Sequence, residues 1–143
     1  MLLVDVNFLV ALHFAGHAHH HAASSCLEEM CSNEKSLGLC DFAMTGFVRV
    51  ATSRHILSSP STLEKALGFV GEVLEYPRSI RVSPGEGHWR IFCTLCRESR
   101  AAGPFISDVY LAALAQEHGA TLVSFDSDFA RFPGLRWHNP LKA

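Results

Sequence analysis

Along the chain, short apolar runs alternate with longer segments whose apolar residues recur at helical spacing. Residues 2–4 form an apolar run that ends at Asp5 and predicts a buried strand. Asn7 can cap a short helix over residues 8–13. Residues 18–31 have helical composition, with Cys26, Leu27 and Met30 on one face. After a polar turn around Asn33, residues 36–40 predict a second strand. Asp41 can cap a helix reaching about Thr52, with Phe42, Thr45, Val48 and Arg49 at helical spacing. Pro60 precedes an S-x-x-E capping box of Ser61 and Glu64, and Pro77 stops the helix it starts. Residues 80–82 predict a third strand, and residues 87–102 an amphipathic helix ended by Gly103 and Pro104. Ser107 can cap the next helix, DVYLAALAQEH, which Gly119 closes. Residues 121–124 predict a fourth strand, 127–131 a single helical turn, and 135–137 a fifth strand.

Strands alternating with helices predict an α/β fold, a three-layer α/β/α sandwich around a central parallel sheet. The 143 residues contain no linker, repeat or low-complexity tract, so one domain is expected. A hydrophobic content of 48% excludes disorder. Five cysteines, an odd number set in apolar-periodic stretches, fit reduced thiols better than a disulfide framework. The N-terminus has no basic n-region and carries Asp5, unlike a secretory signal. No apolar run approaches the roughly 20 residues that span a bilayer. A soluble, cytoplasmic protein with no membrane partner is expected. The balance of 12 Lys and Arg against 14 Asp and Glu is no basic coat, so a nucleic-acid role needs a local reason.

That reason lies with the aspartates. There are only five, and four stand beside predicted strand ends. Asp5 ends the first strand, Asp126 lies just past the fourth, and Asp128 follows two residues later in SFDSDF. Asp108 opens a helix after the extended segment PFIS. Parallel α/β sheets bind ligands beyond the carboxyl ends of their strands, where strand order reverses. Several carboxylates share such a rim only with cations present, because like charges repel. A hard divalent ion, Mg²⁺ or Mn²⁺, takes oxygen ligands and keeps several waters. The chemistry implied is metal-dependent hydrolysis of a phosphodiester. The plainer reading of each residue is a helix cap, a favourable charge at a helix dipole, or a turn aspartate. Taken together, four strand-end aspartates favour a site.

Three segments carry a family resemblance: LLVDVNFLVAL near the start, GFVRVATS between, and SDVYLAALAQEHGATLVSFDSDFARFPGLRWHNP at the end. The chain resembles the PIN-domain ribonucleases, and within them the VapC toxins of type II toxin–antitoxin modules, in their mycobacterial-type subfamily. The resemblance implies a Mg²⁺- or Mn²⁺-dependent endoribonuclease that cleaves tRNA or ribosomal RNA, is neutralised by a cognate VapB-like antitoxin, and forms a homodimer. It implies catalytic roles for Asp5, Asp108, Asp126 and Asp128, the first three as metal ligands, with Asn7 and Ser124 orienting them. Products with 3′-hydroxyl and 5′-phosphate ends are expected.

One position departs from the family pattern. Many PIN domains carry a Glu near the start of the helix after the second strand, where alignment of CDFAMTGFVRV puts Met44. Asp41 is the nearest carboxylate, and it either substitutes through water or caps the helix. Met44 leaves open a catalytically impaired PIN-like module that only binds RNA or protein, and strand-end aspartates by themselves leave open a phosphatase, although VDVN lacks a D-x-D nucleophile pattern. The histidine run at residues 13–21, with His17 and His21 four apart, reads as a solvated surface rather than a zinc site, and Cys93-x-x-Cys96 as packing. Nine of the 12 basic residues are arginines, of which some should bind phosphate. If four of the fourteen acids are matched by cations, ten remain against twelve bases, and the surface facing RNA is mildly basic.

Overall fold

Residues 1–142 are described by a computed structural model. Its elements follow in the order β1 (Leu2–Val4), α1 (Val6–His13), α2 (His20–Ser32), β2 (Leu37–Leu39), α3 (Asp41–Ala51), α4 (Leu63–Glu75), β3 (Ser79–Arg81), α5 (His88–Ser99), α6 (Ile106–Glu117), β4 (Thr121–Val123) and β5 (Trp137–His138). Two 3₁₀ turns, Gly103–Phe105 and Ser127–Arg131, precede α6 and follow β4.

All strand pairs are parallel, in the order β3-β2-β1-β4-β5. From β1 the chain steps outward through β2 to β3, then returns across the sheet to β4. Crossovers between parallel strands are right-handed, so the two directions of travel put their helices on opposite faces. The helices accordingly pack as two groups, α1 to α4 together and α5 against α6. This is the α/β/α sandwich the alternating pattern predicts. Helix α6 is buried continuously from Leu111 to Ala115, and its alanines let the backbone lie close to its neighbours.

Several local predictions give way to tertiary contacts. Asp5, not Asn7, caps α1, because the Asn7 amide is drawn to the end of β4. Cys40 is the residue before α3, its sulfur accepting from the Ala43 amide, so Asp41 is the first helical residue rather than its cap. Thr62, not Ser61, caps α4; the Ser61 hydroxyl is instead 2.7 Å from His13 Nε2. Ser107 caps nothing, because the turn at Gly103–Phe105 runs straight into α6. β5 is Trp137–His138, shifted from residues 135–137, since its pairing is set by Leu122 and Val123 opposite.

Helices α1 and α3 meet at Gly46. A Cβ there would lie 2.6 Å from Cγ2 of Val6, the residue whose amide binds Asp5. Gly46→Ala gains helix propensity of about 1 kcal/mol but overpacks a stiff β-branched side chain at about 1–3 kcal/mol. A net loss of about 1 kcal/mol is expected in urea denaturation, with a weaker site because Val6 must move. Unchanged stability and activity would contradict this packing.

Candidate active site

The reversal of strand order falls at β1, between β2 and β4. Here the register decides which residues meet. Val4 pairs with Val123, so the next residues, Asp5 and Ser124, emerge side by side at the carboxyl edge. The Asp5 amide donates to the Val123 carbonyl at 3.0 Å.

Asp5 is 8% exposed and its two carboxylate oxygens have separate partners. Oδ1 accepts from the Val6 amide at 2.7 Å, which caps α1, and Oδ2 accepts from the Ser124 hydroxyl at 2.7 Å. The capping and site readings of Asp5 are therefore compatible. Ser124, fully buried, also accepts from Asn7 Nδ2 at 3.0 Å and from the Asp126 amide at 3.1 Å. Asn7 Oδ1 accepts from the Phe125 amide at 3.2 Å. Asp126 Oδ1 accepts from the Asp128 amide at 2.9 Å, which makes these two a turn as well as an acidic pair. Among the described residues no buried side-chain polar atom lacks a partner, so this network holds its geometry without strain on unsatisfied groups.

Asp108 reaches the same edge from the first turn of α6. Burial, and then the negative charges of Asp5, Asp126 and Asp128, push its carboxyl up to about 6, opposed by Arg131. Burial also raises Asp5, with Asp126 adding to the shift, while the bonds from Ser124 and Val6 hold it down. Four carboxylates from β1, α6 and the turn after β4 thus act on one another electrostatically, although 103 positions separate Asp5 from Asp108.

A groove of about 600 Å³ opens beside them, lined by Asp5, Asp108, Asp41, Phe42, Thr45, Gly46, Arg49 and neighbours on α1 and α6. Asp126 and Asp128 stand outside its lining. Asp41 lies in the groove and pairs with Arg81. Met44 does not face it: 8% exposed, it packs with Leu9, Leu39, Phe69, Val70 and Val73. The groove face of α3 is carried by Asp41, Phe42, Thr45 and Arg49, so the alignment that put Met44 at an acidic position is off the groove's register. In the sequence Arg49 is one arginine among several, and its helical spacing from Phe42 and Thr45 is the signal that marks it.

Among the described residues, no three His, Cys, Asp or Glu side chains form a ready-made cage for a metal ion. That holds for the histidine run, where His20 Nδ1 bonds the Ala11 carbonyl and His19 stacks on Phe125, and for the five free cysteines. The acidic edge is an open oxygen donor set. Its raised carboxyls reflect burial first and neighbouring negative charge second, a charged edge that a hard divalent cation relieves while keeping part of its water shell. The donor chemistry fits Mg²⁺ or Mn²⁺.

Comparison with known proteins gives a consistent result. A family model described as PIN domain matches residues 2–135. VapC ribonuclease Mb2897 of Mycobacterium bovis is 41% identical over 141 residues, covering 99% of this chain and 96% of that protein. The crystal structure of VapBC2 from Rickettsia felis, bound to a DNA fragment from its promoter, superposes with TM-score 0.73 at 18% identity, covering 96% and 97% of the two chains. VapC20 of Mycobacterium tuberculosis, described as a sarcin-ricin loop cleaving toxin, superposes with TM-score 0.63 at 19% identity, covering 95% and 99%.

Proposed function

The chain belongs to the PIN domain family, as a relative of the VapC ribonucleases, and from that premise we propose that it is a Mg²⁺- or Mn²⁺-dependent endoribonuclease toxin. The observation that carries the reading is the convergence of Asp5, Asp108, Asp126 and Asp128 on one edge, with Asp108 pushed up to about 6 by burial and by the other three. Asp5, Asp108 and Asp126 would hold the ion, and Asp128 would assist directly or through water. When bound, such an ion supplies an activated water and positive charge against the phosphodiester. The protein's part is to fix the acceptors. Ser124, held by Asn7, locks Asp5 in one rotamer, and the Asp126 amide on the same hydroxyl ties the β4 turn to β1. Arg49, exposed on the groove wall, is placed to bind a backbone phosphate.

The substrate class proposed is structured RNA, tRNA or ribosomal RNA, on the strength of the ribonuclease relatives and of the VapC20 description. A VapB-like antitoxin is the proposed partner, supported by a neighbour solved as VapBC2. A homodimer is also proposed. The reading rests on the VapC resemblance, and the exposed Trp89, which stacks on Phe92, is the surface aromatic offered for such a contact. No helix among the described residues is long and apolar enough to cross a membrane.

The test is cleavage of total RNA by the purified protein, with RNA ends sequenced, in Mn²⁺, in Mg²⁺ and in EDTA. Discrete cuts with 5′-phosphate ends in either metal, lost in EDTA and in Asp5→Asn, are expected. Cleavage that persists in EDTA, or in Asp5→Asn, would sink the metal-dependent reading. Binding without cleavage would favour the impaired module, and turnover of a chromogenic phosphomonoester a phosphatase.

A further inference from the structure

Arg131 closes the 3₁₀ turn that carries Asp128; it lies within the segment that carries the resemblance but has no role assigned there, and it does not line the groove. Its guanidinium carbon sits 3.5 Å from the centroid of the Phe105 ring. That ring stacks on Phe132 at 5.4 Å and 19°, and Phe132 meets Phe129 at 5.9 Å. Phe129 and Phe132 are buried, so the cation rests on an aromatic column anchored in the core. Phe105 is also the residue immediately before α6, three positions ahead of Asp108. The stack therefore ties the turn bearing Asp126 and Asp128 to the helix bearing Asp108.

The charge acts on Asp108 from a distance, holding its carboxyl down, but makes no close ion pair. Among the described residues the ion pairs are Arg78–Glu34, Arg81–Asp41 and His118–Glu117, and none involves Arg131. One N–H, from Nη2, reaches the Ser99 carbonyl at 3.3 Å. Arg131 is exposed, and no other hydrogen bond from its guanidinium is found among the described residues. A stacked guanidinium loses little further freedom on binding, and its fork matches two oxygens of a phosphate. A strut needs only the ring contact. A cation held flat near Asp108, with donors that no carboxylate occupies, can receive an anion that comes to that edge.

We propose that Arg131 is a phosphate-binding residue of this site, gripping the backbone of the RNA strand beside the turn that carries Asp126 and Asp128. The proposal deepens the endoribonuclease reading and rests on it for the identity of the anion. Arg131 acts by binding the substrate's nonbridging oxygens, with Phe105 as its positioning residue.

The experiment measures equilibrium binding of a fluorescein-labelled single-stranded RNA oligonucleotide to Asp108→Asn protein, with and without Arg131→Ala, Arg131→Lys and Arg131→Gln, across a salt series. Cleavage by the same Arg131 variants with Asp108 intact is followed in parallel. Loss of one phosphate contact lowers the slope of log K against log salt by about 0.7 for a single strand. We expect that change for Arg131→Ala and Arg131→Gln. Binding should weaken about tenfold, and Arg131→Lys should retain the slope with intermediate affinity. A thermal melt reports folding. Should Arg131→Ala fail to fold, the Lys and Gln variants decide the matter through their difference in slope. Equal slopes in all variants, or equal loss for Lys and Gln, would overturn the proposal and leave Arg131 a strut. Wild-type protein that cleaves no RNA, while the slope still depends on the charge at 131, would overturn the nuclease reading and keep the phosphate contact.

Discussion

Asp108→Asn is expected to abolish RNA cleavage and, in the same protein, to raise the melting temperature of the metal-free form at pH 8. The two effects have one cause. The Asp108 carboxyl is pushed up to about 6 from an ordinary 3.8 by burial and by Asp5, Asp126 and Asp128. Between those values the folded chain binds more protons than the unfolded one, so stability falls as pH rises through that window. Above pH 6 the full cost is present. Taken at face value the shift corresponds to about 3 kcal/mol, and solvent around a half-buried group reduces this to about 1 kcal/mol. Removing the charge should therefore raise the midpoint by about 3 °C at pH 8, and the two proteins should converge below pH 4. Under the proposed function, cleavage should drop by at least ~10³-fold, since a ligand to the proposed ion contributes several kcal/mol of transition-state stabilisation. Saturating Mn²⁺ should reverse the order of stabilities, lifting wild type by about 2.7 kcal/mol at a hundred times its Kd and the variant by less. Scanning calorimetry at pH 4, 6 and 8, with and without Mn²⁺, gives the readout. A variant less stable than wild type at pH 8 without metal would contradict the electrostatic account of this edge.

Met44→Glu, which restores the acid that many PIN domains carry near this point, is expected to destabilise the protein strongly rather than improve it. Met44 lies among Leu9, Leu39, Phe69, Val70 and Val73, with no hydrogen-bond donor among those side chains and no room for water. A carboxylate placed there has no partner, and the cost is about 3 kcal/mol or more, a large share of a typical domain's 5–15 kcal/mol. Thr45→Glu is the contrasting variant. Thr45 is exposed and lines the groove with Asp5 and Asp108, so an added carboxylate is expected to cost under about 0.5 kcal/mol and to tighten Mn²⁺ binding. Urea denaturation and Mn²⁺ titration of both proteins decide it. A stable Met44→Glu protein with tighter metal binding would restore the original alignment and require α3 to be turned by about one residue.

These two positions show what is legible in a linear pattern. The order of strands and helices, and the placement of Asp5, Asp108 and Asp126 at element ends, follow from apolar runs and helical spacing that short-range physics alone imposes. Caps were harder. Asn7, Ser61 and Ser107 are sound capping residues, yet the first two are claimed by Ser124 and His13 at long range, and a capping propensity of about 1 kcal/mol loses to a buried hydrogen bond. The facing of α3 was harder still, because Met44 and Thr45 differ by one step of about 100° and only the packed neighbours say which step meets the groove.

The sequence by itself determined the fold class, the acidic residues and the family, since each depends on residue type and on spacing within a segment. Tertiary structure alone decided that Ser124 fastens Asp5, that Asp41 pairs with Arg81, that Met44 belongs to the core, and that Arg131 lies flat on Phe105 outside any close ion pair. Each of those contacts joins residues on different elements. Strand register and helix rotation, which no local pattern encodes, set whether such residues meet.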